Sequence, residues 1–311
     1  MTEKIIFDTD PGVDDSMALL FGLACPELEL VGVTTVFGNV EVEQTTRNAL
    51  YVLEVGGRTD IPVVAGAAQA LERPMVERKF YIHGRDGLGG VALETYARPA
   101  TAWKGGAAGY IVDTVLAQPG EITLVAVGPL TNLALAVQRE PALAEAVKRV
   151  IIMGGAVYCR GNASPVAEAN IWNDPHAASI VFGAGWPVTL VGLDVTMRTI
   201  MSSHYLEELA RVGRPATDFI SKIVPAYQDG YRRRQTLDGI PTHDPSAMAN
   251  AVDASLFHTQ RVPLYVELEG RCAGQTVADI YRQWAPLPEI DVCVDVDASR
   301  LLALFRSRLT G

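Results

Sequence analysis

Cysteine is scarce. The four present (Cys25, Cys159, Cys272 and Cys293) are widely separated and form no Cys-x-x-Cys pair, which excludes a disulfide-framed scaffold and points to reduced thiols in a reducing compartment. Long apolar runs are missing too: none approaches the ~20 residues a bilayer-crossing helix needs, so no membrane partner is expected. Met1-Thr2-Glu3-Lys4 leads directly into an apolar stretch with no room for a secretory signal, so the expected location is cytoplasmic. Positive charge is in deficit, with 26 Lys and Arg against 36 Asp and Glu and a formal charge of −10. That balance disfavours nucleic acid as a partner, because phosphate binding needs cationic side chains to displace counterions. The one concentrated basic run, Arg232-Arg233-Arg234, reads as the solvated face of a helix. There is no GxGxxG after a strand, no Walker lysine and no GxSxG elbow. What remains is a composition of ordinary globular type, 49% hydrophobic and 20% charged, on 311 residues, enough for one large domain or two small ones.

Against that plain background one stretch stands out. Asp8-Thr9-Asp10-Pro11-Gly12-Val13-Asp14-Asp15 places four carboxylates in eight residues, on a Pro-Gly turn between a β-prone segment (Lys4–Phe7) and a helical one (Ser16–Leu23). One Asp is readily explained as a helix cap; four are not. Crowded carboxylates repel and take protons back up, and a helix N-terminus offsets only about 1 kcal/mol per nearby charge. A hard divalent cation taking oxygen ligands is the stronger explanation. The spacing is not an EF-hand, since Gly arrives at position 5 and position 12 is Leu19. Asp8 and Asp10 at a strand end would also suit a magnesium phosphohydrolase, which leaves Asp14 and Asp15 without a role.

Further along, apolar segments at 28–36, 61–66, 121–127, 149–153 and 188–193 alternate with helical patterns at about 43–53, 111–117, 130–138 and 175–182. This predicts an α/β fold with a mostly parallel central sheet flanked by helices, a Rossmann-like open sheet whose active site lies at the strand C-terminal ends. The polar residues fall there: Asp10, Asn39, the Val127-Gly128 turn and Met153-Gly154 stand at successive strand exits. The glycine-rich stretch from His83 to Gly90 is either a plain surface loop or a lid. The second half reads as helices at 202–211, 215–232 and 243–251, strands at 262–269 and 289–297, and a closing helix at 301–309. In the last strand Asp291, Asp295 and Asp297 alternate with apolar residues, as in a half-exposed strand with its acids in water. Asp174-Pro175 and Asp244-Pro245 look alike locally, and either Asp could be a helix cap.

The chain resembles the inosine-uridine-preferring nucleoside hydrolases. The opening acidic motif carries the likeness, together with Thr34-Thr35-Val36-Phe37-Gly38-Asn39, Ile82-His83-Gly84, Gly128-Pro129-Leu130-Thr131-Asn132, Met153-Gly154-Gly155, Gly161-Asn162, Glu168-Ala169-Asn170, Val191-Gly192-Leu193-Asp194 and His243-Asp244-Pro245. It spans nearly the whole chain in order, which implies one domain over 1–311. It further implies hydrolysis of the N-glycosidic bond of a ribonucleoside substrate, a bound Ca2+, a place in nucleoside salvage, and a homo-oligomer (dimer or tetramer). Carried over by position, the metal ligands would be Asp10, Asp15, Asp244 and the carbonyl of Val127, with Asp10 the general base. Asp14, Asn39, Asn162, Glu168 and Asn170 would hold the ribose, with Met153 beneath it. His243, and then His83, would protonate the leaving base, with Tyr227 and Tyr231 lining its pocket. Ala169 stands where many relatives carry an aromatic and Gln235 where some carry an arginine, so base preference stays open. A nucleoside- or ribose-binding protein that turns nothing over is the non-enzymatic alternative.

Overall fold

A computed structural model describes residues 2–74, 82–91, 98–284 and 286–311. In the first half β1 (Glu3–Thr9), β2 (Leu28–Thr35), β3 (Val63–Ala65), β4 (Ile122–Ala126), β5 (Arg149–Met153) and β6 (Val188–Val191) alternate with helices. These are α1 (Val13–Ala24), α2 (Val42–Val55), α3 (Gly106–Ala117), α4 (Thr131–Arg139), α5 (Leu143–Ala146), α6 (Ala169–Asn173) and α7 (Pro175–Gly183). The second half adds α8 (Leu193–Thr196), β7 (Ile200–Met201), α9 (Ser203–Ala210), α10 (Pro215–Gln235), β8 (Ile240–Pro241) and α11 (His243–Val252). It closes with β9 (Phe257–Val266), β10 (Thr276–Ala278), β11 (Glu289–Val296) and α12 (Ala298–Thr310).

Among the described residues nine strands form one sheet in the order β10-β9-β11-β6-β5-β4-β1-β2-β3. The run from β3 through β11 is parallel, and β9 pairs antiparallel with both β11 and β10. The expected mixed, mostly parallel sheet is therefore present. Its strands are apolar on both faces because helices cover both. Alternate residues of β1 go to opposite sides: Ile5 and Phe7 pack with Met17, Met248 and Phe305, whereas Ile6 packs with Leu124, Ile111 and Leu133. Strand order reverses at β1, with β2 on one side and β4 on the other. In open sheets of this kind ligands bind in the crevice at that reversal.

Several elements differ from the sequence reading, each for a local reason. β9 begins at Phe257, before the expected 262, because His258 to Arg261 are exposed and carry no apolar signal. The alternation in β11 breaks at an irregularity between Cys293 and Asp295, which buries Cys293; Asp291 and Asp295 stay at the surface beside Arg261 and Arg198. The glycine-rich loop is a built feature: Leu88 is fully buried, the Asp86 carboxylate accepts the N–H groups of Leu88 and Gly90, and Asn48 donates to the carbonyls of Pro11 and Asp86. Among the described residues no helix is long and apolar enough to cross a membrane.

Candidate active site

β1 delivers Asp8, Thr9 and Asp10 to the carboxyl edge of the sheet, and Pro11-Gly12 turns the chain straight into α1. Gly12 is the N-cap of α1, and Asp15 three residues on accepts its N–H at 2.9 Å. Asp15 therefore does part of a capping job, but it also accepts the Thr9 hydroxyl (2.6 Å), the Asp10 N–H (3.2 Å) and the Asn39 amide (3.0 Å). Asp10 takes the Asn39 N–H on Oδ2 at 2.6 Å, while its buried Oδ1 has no hydrogen-bond partner. The backbone closes on this carboxylate at the exits of β2 and β4, where glycine is required by space. A Cβ on Gly128 would stand 2.6 Å from Asp10 Oδ1, and one on Gly38 would overlap Oδ2. Asp14 accepts the Tyr227 hydroxyl on Oδ2 at 2.8 Å, and its buried Oδ1 is likewise unpartnered.

From far along the chain α11 brings Asp244 to the same place. Carboxylate oxygens of Asp14, Asp15 and Asp244 lie within 4.8 Å of one another. Burial, reinforced by the neighbouring carboxylates, raises Asp10 and Asp244 well above the usual carboxylate range and raises Asp15 as well; burial raises Asp14 to about 6. His83 Nδ1 is 3.8 Å from Asp14 Oδ1, yet burial lowers this imidazole to about 4, so it brings no positive charge at neutral pH. The cluster is thus four buried acids with all-oxygen donors, two orphaned oxygens and strong mutual repulsion, a set that fits a hard divalent cation.

Asp8 stands apart. Its Oδ2 accepts the Thr34 hydroxyl (2.6 Å) and the Asn132 amide (2.8 Å), tying β1 to β2 and α4. Turned to that task, it is no partner for Asp10 in phosphate chemistry. The two Asp-Pro pairs also separate. Asp174 caps α7, accepting the Ala177 N–H, and takes the Thr131 hydroxyl and Leu71 N–H on its other oxygen. α11 is instead preceded by Thr242, and Asp244 sits in its first turn.

Over the cluster lies a cavity of about 340 Å³, of the size that holds a small organic ligand. Twelve of the expected residues line it: Asp14, Asn39, His83, Val127, Met153, Asn162, Glu168, Asn170, Tyr227, Tyr231, His243 and Asp244. Asp10 and Asp15 stand behind Asn39, to which both are bonded. Asn170 donates to the carbonyls of Val127 (2.7 Å) and Met153 (3.1 Å), leaving each carbonyl a second lone pair. Glu168 caps α6, accepting the N–H groups of Gly155, Asn170 and Ile171, and burial raises it to about 7. Asn162 Oδ1 accepts the Ala169 N–H, fixing the loop before α6. His243 bonds Thr196 through Nδ1 and the Tyr231 hydroxyl through Nε2, both at 2.8 Å. Burial lowers this imidazole to about 3.

Residues 5–303 match the family described as inosine-uridine preferring nucleoside hydrolase. The chain belongs to that family. This nucleoside hydrolase is 38% identical to uridine nucleosidase 1 of Arabidopsis thaliana, over 99% of its own length and 93% of the relative's. It is 38% identical to the inosine-uridine preferring nucleoside hydrolase of Crithidia fasciculata, over 98% and 96%. Among solved structures it superposes on a plant nucleoside hydrolase with a TM-score of 0.96 at 38% identity, covering 100% of both chains. It also superposes on the purine-preferring ribonucleoside hydrolase of Gardnerella vaginalis with a TM-score of 0.93 at 35% identity, covering 99% and 98%. The chain is accordingly an enzyme, and the cavity at its sheet reversal is where a family of hydrolases would place its chemistry.

The sequence reading of this hydrolase missed part of the lining. Ile82, Trp172, Asn173, Gly230 and Arg234 also line the cavity, beside Gln235, which the sequence had tied to base preference, and Thr196 reaches His243 from α8. Helical spacing from Tyr227 (three, four, seven and eight residues on) would have found Gly230, Tyr231, Arg234 and Gln235. Arg232, Arg233 and Arg234 are all exposed, as expected of a solvated face, with Arg232 and Arg233 beside Asp229 and Arg234 also bordering the cavity mouth. No local pattern marks Thr196.

Proposed function

We propose that this nucleoside hydrolase splits the N-glycosidic bond of ribonucleosides into ribose and free base, as a salvage reaction, around a calcium ion. The observation that carries the reading is the set of four buried, mutually repelling carboxylates with two unpartnered oxygens beneath a nucleoside-sized cavity. Asp10, Asp15, Asp244 and the Val127 carbonyl would hold the ion, and Asp14 is close enough to share the load. When bound, the ion would orient the attacking water and lower its pKa. Asp10 would take that water's proton; its free Oδ1 and raised proton affinity suit a general base. Asp14, Asn39, Asn162, Glu168 and Asn170 would grip the ribose hydroxyls over Met153, applying binding energy as the ring flattens toward an oxocarbenium-like transition state.

The leaving base needs a proton or its equivalent. His243 and His83 are both neutral in the free enzyme, so neither holds a proton in reserve at pH 7. His243 is bonded to Tyr231, which favours a proton passed along the Tyr231–His243 pair as the bond breaks; His83, beside Asp14, is the second donor. A cytoplasmic homo-oligomer remains our reading of the setting, supported by the reduced-thiol composition and the family likeness.

The test is reducing-sugar release from inosine, adenosine, guanosine, uridine and cytidine, with and without chelator. Turnover that chelation abolishes and calcium restores supports the reading. Asp10→Asn should lose turnover by at least ~10²-fold while still binding ribonucleoside. Absence of sugar release from every nucleoside would overturn it.

A further inference from the structure

α1 begins where the site is most crowded, and its first N–H is not left free. Val13 is the first helical residue after the Gly12 cap and is fully buried, so its amide needs a partner from the protein. That partner comes from far along the chain: the Val13 N–H donates to His83 Nδ1 at 3.2 Å. The Asp14 Oδ1 near the same nitrogen, at 3.8 Å, is too distant for a hydrogen bond. Gly12 makes room for the ring, since a Cβ there would stand 2.5 Å from His83 Nδ1. The segment that carries His83 is tied to the same turn. The Gly89 N–H donates to the His83 carbonyl at 2.9 Å, and Asn48 donates to the carbonyls of both Pro11 and Asp86. The imidazole is therefore a fixed wall of the cavity.

A backbone N–H can only donate, so the Nδ1 that accepts it carries no proton. The positive end of α1 also opposes a second proton on the ring. Resting on the hydrolase reading above, we infer that the Val13 N–H fixes His83 as the neutral Nε2–H tautomer, and that this Nε2–H holds a lone pair of the bound ribonucleoside as a hydrogen-bond donor. Val13 is thus a positioning residue that acts through its backbone. With the Nδ1 edge turned to α1, the Nε2–H is what the ring has left for the cavity it lines. The second donor of that reading is refined accordingly: His83 gives a hydrogen bond and keeps its proton. A neutral imidazole at a helix N-terminus is an established electrophile. The acceptor it meets is an oxygen of the ribose, beside Asp14, or a lone pair of the departing base. Either one accepts an N–H without requiring a charged ring.

The first measurement is ¹⁵N NMR of histidine-labelled protein at pH 7 with calcium present. Of the five histidines, His83 is the one whose signals vanish in His83→Gln. Its Nδ1 should be of pyridine type and its Nε2 of pyrrole type; the opposite tautomer, or a doubly protonated ring, overturns the inference whatever the activity. Val13→Pro removes the N–H at the first helical position, where proline is tolerated, while Val13→Ala trims the same side chain and keeps the N–H. Proline should abolish the fixed tautomer and lower kcat/KM for inosine and uridine by about tenfold, the worth of one hydrogen bond; alanine should keep the tautomer. An unchanged His83 signature in folded Val13→Pro overturns the role of Val13. His83→Gln keeps a neutral donor near the Nε2 position, whereas the side chain of His83→Asn is too short to reach it. Gln should therefore retain most of the activity that Asn loses, and equal losses overturn the hydrogen-bond role. On 4-nitrophenyl riboside, whose leaving group departs as a stable anion, the His83→Asn loss persists if the acceptor is on the ribose and disappears if it is on the base; both results support a donor at Nε2. A wild type inactive on every nucleoside would fail the hydrolase reading, and the NMR result would still decide the tautomer.

Discussion

Removing the divalent cation should change stability with a pH signature that the buried acids dictate. In the metal-free fold Asp14 rises from the usual 3.8 to about 6, and Asp8 and Glu168 rise to about 7, chiefly through burial. A group held above its unfolded pKa stabilises the fold fully below the unfolded value, and that contribution disappears as the pH climbs through the folded value. The metal-free protein should therefore lose stability between about pH 4 and 8, most of it from 5 to 8. For Asp14 alone the loss is ~3 kcal/mol, at 1.36 kcal/mol per unit of pKa. A cation bound to the ionised cluster reverses the cost where the acids are charged, and protons compete with it where they are not. At a hundred times its dissociation constant the ion should add about 2.7 kcal/mol, or roughly 4 °C in a chain of this size. The assay is thermal unfolding at pH 8 and pH 5, with chelator and with calcium. Calcium should raise Tm clearly at pH 8 and much less at pH 5. No calcium effect at pH 8, or a larger one at pH 5, would refute the assignment of these carboxylates to a cation.

Gly128→Ala places a methyl group 2.6 Å from Asp10 Oδ1, so the carboxylate must move, and kcat should fall on the order of 10²-fold with KM changing less; steady-state kinetics showing near-normal kcat would mean Asp10 need not be held there. Asp194 accepts the N–H groups of Val157 and Tyr158 at 3.0 and 2.7 Å and anchors the loop that leads to Asn162. Asp194→Ala should cost about 2–3 kcal/mol in denaturant unfolding and raise KM more than it lowers kcat, while Asp194→Asn, keeping one acceptor, should recover much of both.

The parts of this structure that could be read from sequence were those in which local chemistry repeats a periodic or spacing rule. β5 matches its expected bounds because Arg149 to Met153 is a charged start followed by a continuous apolar run. α7 was legible from Asp174-Pro175. Short elements were not: β10 has three residues and β7 and β8 two each, too few for a pattern. α6 escaped because its five residues look like the loop before them until Glu168 is seen taking the N–H groups of its first turn. Arg232, Arg233 and Arg234 are all exposed, as a run of like charge on a helix end implies, and that run gave no sign that Arg234 also borders the cavity. The glycine-rich loop could not be resolved because what orders it, Asn48 bridging Pro11 and Asp86, comes from α2.

The position of Asp10 follows from topology more than from its own neighbours. β1 pairs with β2 on one side and β4 on the other, so the loops leaving β2 and β4 depart on either side of the residue after β1. Gly38 and Gly128 let those loops close on its carboxylate, and the Asn39 N–H fixes one oxygen while the other stays bare. A fold selected for stability alone would fill that crevice with apolar side chains, because an unpaired buried carboxylate opposes folding. Here the opposite has been kept four times over, and Asp8, Asn132 and Thr34 form a second buried layer that holds β1, β2 and α4 in register behind it. The rest of the double-faced core must offset that cost. A site so expensive to assemble, and so closely fitted around one oxygen, is better explained by the charge it receives than by any packing it provides.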